Sequence, residues 1–173
     1  MELIEESFGY SFNDSDVSLN ELDVVFYEDS TTQELAAVRR GYKTDTAIPY
    51  TELGSLLLRI NCHYYENLSA DNLNGVGQNA TAYLDRTIAH EMVHAVMAAK
   101  IKYFNYLPLF IQEGAAELVH GIDDHRRSQI AELAGNSSKL QTYLNLNSTL
   151  NDVYVYAAGF MFLRYLAKQA VST

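Results

Sequence analysis

The chain has 173 residues, 48% of them hydrophobic, and a formal net charge of −10. Such a chain suits one domain with a real core, or two lobes flanking a cleft, and not a disordered polymer. The acidic balance argues against a nucleic-acid partner, which demands a basic footprint, and no run of about 18 apolar residues offers a membrane span.

The single cysteine, Cys62, rules out an intramolecular disulfide and reads as a small buried strand residue. The acidic start, Met1 to Glu6, does not read as a signal peptide. The chain is compatible with a domain cut from a longer protein.

In chain order, residues 1–20 read as an irregular arm or short strand with isolated aromatics (Phe8, Tyr10, Phe12). Leu22 to Tyr27 is rich in β-branched and aromatic residues and predicts a strand. Thr31 or Thr32 is placed to cap a short helix through about Arg39, with Gly41 beyond its end. Tyr42 to Tyr50 contains Pro49 and reads as a loop. Ser55 to Tyr65 is the clearest strand, its apolar start suggesting burial on both faces. Ser69 to Ala80 is dense in Asn, Asp and Gly and reads as a plain loop. Asp71, Asn72 and Asn74 offer oxygens to calcium there, but their spacing fits no EF-hand loop.

A long helix is predicted from about Thr81 to Lys100, with its basic end suited to the helix dipole. Pro108 opens a second helix that stops near Gly121. Asp123 or Asp124 caps a third through about Ala134, a fourth runs from Lys139 to about Leu146, and the last from near Asp152 to about Ala170. The expected fold is α+β and a single domain over residues 1–173. A small N-terminal mixed-sheet lobe (about 1–80) precedes the long helix and a helical lobe (about 81–173).

The long helix carries His90-Glu91-Met92-Val93-His94. Residues four apart share a helix face, so both imidazoles can reach one metal ion. Glu91 is rotated by about 100° from His90, which leaves its carboxylate beside the metal as a general base and not a ligand. The flanks Leu84, Ile88, Met92, Val93, Val96 and Met97 predict a buried helix. A polar triplet there is out of place unless it binds something, because unpartnered burial costs a few kcal/mol per group. Catalytic zinc takes three protein ligands and keeps a position for water. Glu113, nineteen residues after His94, is the third candidate, and Gly114 beside it permits close approach of another segment. Glu117, one turn on, is assigned to orient a zinc histidine, His90. A solvated surface role for Glu117 stays open.

His90-Glu91-x-x-His94, eighteen residues, then Glu113 with Gly114 and Glu117 resembles the gluzincin metallopeptidases, which include thermolysin and the aminopeptidase-N type enzymes. The resemblance implies a zincin-like fold, one zinc ion per chain held by His90, His94 and Glu113, and Glu91 as base. In thermolysin-like relatives an acidic residue at the Glu117 spacing orients a zinc histidine. In the aminopeptidase-N type, a Tyr in a Y-x-x-G-[AF] stretch donates to the oxyanion. Tyr156-Ala157-Ala158-Gly159-Phe160 matches that stretch, so the role passes to Tyr156, with Tyr154 as runner-up. The G-x-M-E-N motif that captures a free α-amine is absent, which favours endopeptidase activity. The stretches from Leu84 to Met97 and from Glu113 to Asp124 are similar to the flagellinolysin domains, metallopeptidase domains inserted in the variable region of some bacterial flagellins. That similarity implies an extracellular or flagellar location, a larger filament-forming chain, and protein or peptide substrates that include flagellin.

His63, His120 and His125 read as ordinary surface histidines, and Arg126, Arg127 and Arg164 as solvated charges. Two alternatives stay open. One is a secreted protease of unrelated substrate. The other is a non-catalytic, filament-decorating or binding domain with a structural or vestigial metal site. Structural zinc usually fills all four positions with Cys or His, and no such set is spaced suitably here.

Overall fold

Leu22–Tyr27, rich in β-branched and aromatic residues, and Leu56–Asn61, largely apolar, favour a sheet by their own composition. The computed structural model describes residues 22–40, 56–65, 83–101, 103–120 and 126–171. These fall into two compact units, one within residues 1–102 and one within 103–173. Among the described residues the fold is α+β, with one three-stranded sheet and five α-helices. The expected arm at 1–20, the Pro49 loop and the Asn-rich loop with its calcium question lie outside the described residues.

In the first unit β1 (Leu22–Tyr27), β2 (Ala36–Arg40) and β3 (Leu56–Asn61) form a mixed sheet in the order β1-β3-β2. The central β3 runs parallel to β1, with Leu22 opposite Leu56, and antiparallel to β2, with Ala36 opposite Ile60. β1 coincides with its predicted span. The helix expected through Arg39 is instead β2. Thr32 does cap, but it caps a turn: its hydroxyl accepts from the Glu34 amide at 3.1 Å. Pairing to β3 then overrides the helical preference of Ala36 and Ala37.

Two further corrections concern β3. Leu58 and Ile60 are buried, whereas Leu57 and Arg59, on the alternate face, are only half-buried. The strand is therefore buried on one face, not both. Arg59 lies 4.3 Å from the Tyr27 ring centroid and 3.7 Å from Glu34. Tyr27 also donates to Glu34 at 2.8 Å, and burial, aided by that carboxylate, pushes its phenol up to about 12. The predicted strand also stops at Asn61, so Cys62 sits half-buried in a short 3-10 turn, Cys62–Tyr64.

Asn61 ends the strand by its hydrogen bonds. It is fully buried. Its Oδ1 accepts from the amides of Asp29 (3.0 Å) and His63 (3.2 Å), and its Nδ2 donates to the carbonyls of Asp29 (2.8 Å) and Glu34 (3.1 Å). One amide thus ties β3 to the segment between β1 and β2. Helix α1 (Leu84–Lys100) packs on β2 and β3.

The second unit is helical: α2 (Leu109–His120), α3 (Arg127–Gly135), α4 (Ser137–Tyr143) and α5 (Val153–Val171). Phe110, Leu133, Tyr143, Val155, Ala157 and Ala158 form its core. Pro108 stands just before α2, and its carbonyl accepts from the Ile111 and Gln112 amides. α3 begins at Arg127 behind Arg126, so neither Asp123 nor Asp124 is the residue before it; both lie outside the described residues. α4 starts two residues earlier than expected because the Asn136 side chain accepts from the Lys139 amide at 3.0 Å. α5 starts beside Asp152, as expected, and the Asp152 side chain accepts from the Tyr154 amide at 2.9 Å.

Asn61→Leu is expected to lower stability by about 3 kcal/mol, because it leaves buried backbone groups without partners. A thermal unfolding midpoint equal to wild type would show that the amide does not pin β3.

Candidate metal centre

Helix α1 forms because its apolar residues recur at helical spacing and nothing in its interior breaks it. Met92, Val93, Ala95, Val96 and Met97 are buried, as the flanking pattern predicts. Its first described turn follows Tyr83, and Thr81 lies outside the described residues. Lys100 occupies the last turn, where the dipole favours a cation.

His90 and His94 are half-buried on one face of α1. Their Nε2 atoms are 3.0 Å apart, with the rings edge-to-face at 4.7 Å between centroids. Ligands of a tetrahedral zinc stand about 3.3 Å apart, given Zn–N bonds of about 2.05 Å. At 3.0 Å the two nitrogens stand at hydrogen-bonding distance, slightly inside that spacing, so one ion would have to part them a little.

Glu91 projects from the same helix one residue on. Thr87, four residues earlier, is buried, and its hydroxyl is 2.7 Å from that of the buried Tyr65. Burial pushes the Tyr65 phenol above its ordinary value, and the negative charge of Glu91 acts in the same direction. Tyr65 and Thr87 thus belong to the surroundings of the candidate base. Neither stood out in the sequence. The four-residue interval from Thr87 to Glu91 was the available signal for Thr87; nothing local pointed to Tyr65.

In the second unit α2 and α5 cross with almost no space between their backbones. A Cβ added at Gly114 would fall against the Gly159 backbone, and one added at Gly159 would lie 2.8 Å from Gly114 Cα. Only glycine fits either position. The role expected of Gly114 is therefore real, and the segment it admits is the glycine of the Tyr156-x-x-Gly159 stretch. Tyr156 stands one turn before Gly159, and Glu113 and Glu117 lie close to Gly114 on the helix that Gly159 meets.

Glu117 is 1% exposed, so the solvated-surface alternative fails. Its Oε1 lies 3.6 Å from Nη2 of Arg126, whose guanidinium sits 4.6 Å from the Tyr156 ring centroid. Arg126 is therefore not a solvated charge; its side chain is 16% exposed and lies against groups from two other helices. Tyr154 donates its hydroxyl to Glu132 at 2.6 Å, beside Lys139, which removes it from the role of runner-up donor. Arg127 and Arg164 are exposed, as expected. His63 is half-buried and edge-on to Tyr64, with 5.4 Å between ring centroids. His125 and the side chain of His120 lie outside the described residues.

His90, His94 and Glu113 each offer one ligand atom, and these atoms lie within 4.8 Å of one another. This is a cluster that could hold a metal ion, with two imidazoles and one carboxylate as donors. Comparison of the chain with models of known families, with curated proteins and with solved structures returned no match. The arrangement of these side chains therefore has to carry the functional argument alone.

Gly114→Ala tests the crossing. Alanine gains about 1 kcal/mol of helix propensity over glycine, but overpacking against backbone costs about 3 kcal/mol. The clash wins, so net destabilisation is expected in chemical denaturation, together with loss of metal binding. A stabilised variant would show that the helices do not approach so closely.

Proposed function

We propose that the chain is a zinc-dependent endopeptidase of gluzincin type, a minimal zincin-like domain spanning residues 1–173. The observation that carries this reading is the clustering of His90, His94 and Glu113, two imidazoles and one carboxylate. Such a set matches catalytic zinc, which keeps one position for water, better than structural zinc, which usually takes four Cys or His ligands. Among the described residues the cluster contains no fourth His, Cys, Asp or Glu.

Zinc bound there would supply a water of pKa about 7 and polarise the scissile carbonyl. Glu91 takes a proton from the attacking water and returns it to the leaving amine. One residue from His90 on α1, its carboxylate would stand beside a bound metal and outside the ligand set. Tyr156 donates a hydrogen bond to the carbonyl oxygen as charge develops on it, a contribution of about 3 kcal/mol. Glu117, buried on the helix that carries Glu113, fixes the tautomer and orientation of His90. Protein or peptide is the substrate class. Flagellin, an extracellular setting and a place within a larger filament-forming chain follow from the resemblance to flagellinolysin domains.

Elemental analysis of the full chain is expected to return one zinc per molecule, and a casein or flagellin digestion to show cleavage that a chelator abolishes. Glu91→Gln should keep the metal and lower turnover by about 1,000-fold. Unchanged cleavage would remove Glu91 as the base. Tyr156→Phe should cost about 100-fold with the metal retained, and full activity in that variant would reassign the oxyanion donor. Zinc binding without any cleavage would favour a non-catalytic binding domain.

A further inference from the structure

The Glu117–Arg126–Tyr156 chain has no part in the proton transfers assigned above, yet it joins three helices. Glu117 sits on α2, Tyr156 on α5, and Arg126 is the residue that caps α3. The Arg126 backbone is held by that cap, its carbonyl accepting from the Ile130 amide at 2.9 Å. Its side chain is held at the far end, where Nη2 stands 3.6 Å from the Glu117 carboxylate. A charge as buried as Glu117 is retained only when a partner offsets its desolvation. Arg126 is therefore anchored at both ends, and the planar guanidinium is presented to the Tyr156 ring at 4.6 Å.

We propose that Arg126 is a positioning residue for Tyr156: it holds the ring by a cation–π contact and so sets the line along which the hydroxyl points. The electron-rich ring face attracts the cation, within the separation of about 6 Å over which such contacts act. Rotation of Tyr156 about its first side-chain torsion breaks the contact, so the contact opposes that rotation. The Gly114–Gly159 approach fixes the backbone from which Tyr156 springs, and Arg126 fixes the ring beyond it. Arginine suits the task because its plane can stack while its N–H fork reaches a carboxylate; lysine offers the charge without the plane.

The catalytic consequence rests on the peptidase reading, in which Tyr156 is the oxyanion donor. Arg126→Lys in the full chain is the test, because it leaves a cation for Glu117 and so preserves the fold. The variant should lower kcat about 10-fold, with KM within about twofold of wild type. In the Tyr156→Phe background the same change should cost nothing further, because the donor that Arg126 positions is already gone. An equal loss in both backgrounds, or a loss confined to KM, would overturn the proposal and assign Arg126 to substrate or to the fold. A second measurement stands apart from turnover. The Tyr156 ring resonances, assigned by their disappearance in Tyr156→Phe, should shift in Arg126→Lys, and the ring should flip faster. Unmoved resonances would overturn the contact. Should wild type cleave nothing, the peptidase reading fails while the ring measurement still decides whether Arg126 holds Tyr156.

Discussion

The helical unit depends on two backbones approaching where neither residue has a side chain. At Gly114 and Gly159 a single added carbon on either helix would strike the other. Helices usually pack with 8–10 Å between axes because side chains interdigitate, and a glycine pair removes that spacer. The functional consequence lies in the neighbours of the two glycines. Glu113 precedes Gly114, Glu117 follows it by three residues, and Tyr156 precedes Gly159 by three. A wider crossing would keep all these side chains and change how the one on α5 stands toward the two on α2.

Both units place polar groups where burial has to be offset, and they do so differently. Asn61 is neutral and meets four backbone partners, so its burial stabilises one strand end. Glu117 is charged, and its carboxylate is offset by a guanidinium at a distance longer than an ideal hydrogen bond. Replacing such a pair by apolar residues often costs a fold nothing. A buried carboxylate and a half-buried arginine against a tyrosine are thus better explained by a site than by stability. The histidine pair follows the same logic on α1, where a run of buried apolar residues surrounds two imidazoles whose Nε2 atoms are 3.0 Å apart.

The tyrosines show how context separates one hydroxyl from another. Tyr27 is tied to Glu34 and Arg59 on the sheet. Tyr143 gives its hydroxyl to Asp152, which also caps α5. Tyr154 is bound to Glu132 in an exposed group with Lys139. Tyr64 donates to the Thr32 carbonyl. Each of these hydroxyls has a structural acceptor. The rings of Tyr27 and Tyr154 also carry a cation, Arg59 and Lys139; at Tyr156 the cation is Arg126, which is paired as well with the buried Glu117.

Much of this was legible in the chain itself. Four-residue spacing on a helix is a local property, so the pairing of His90 with His94 followed from helix geometry alone. The same holds for β1, the run of α1 and the start of α5 near Asp152, where neighbouring residues decide the outcome. What depended on distant residues was not legible. Ala36 to Arg40 became a strand because β3 lies beside it, and β3 stopped at Asn61 because Asp29 and Glu34 were there to receive its amide. Arg126 read as a solvated charge, since no sequence spacing relates it to Glu117 and Tyr156, nine and thirty residues away. The sequence by itself determined which donors could bind a metal and that Gly114 had to admit another segment. Only the tertiary structure decided that the segment is Gly159 and that a guanidinium would lie against Tyr156. Helix periodicity is a local constraint, whereas backbone contact and charge pairing are settled by whatever the folded chain brings near.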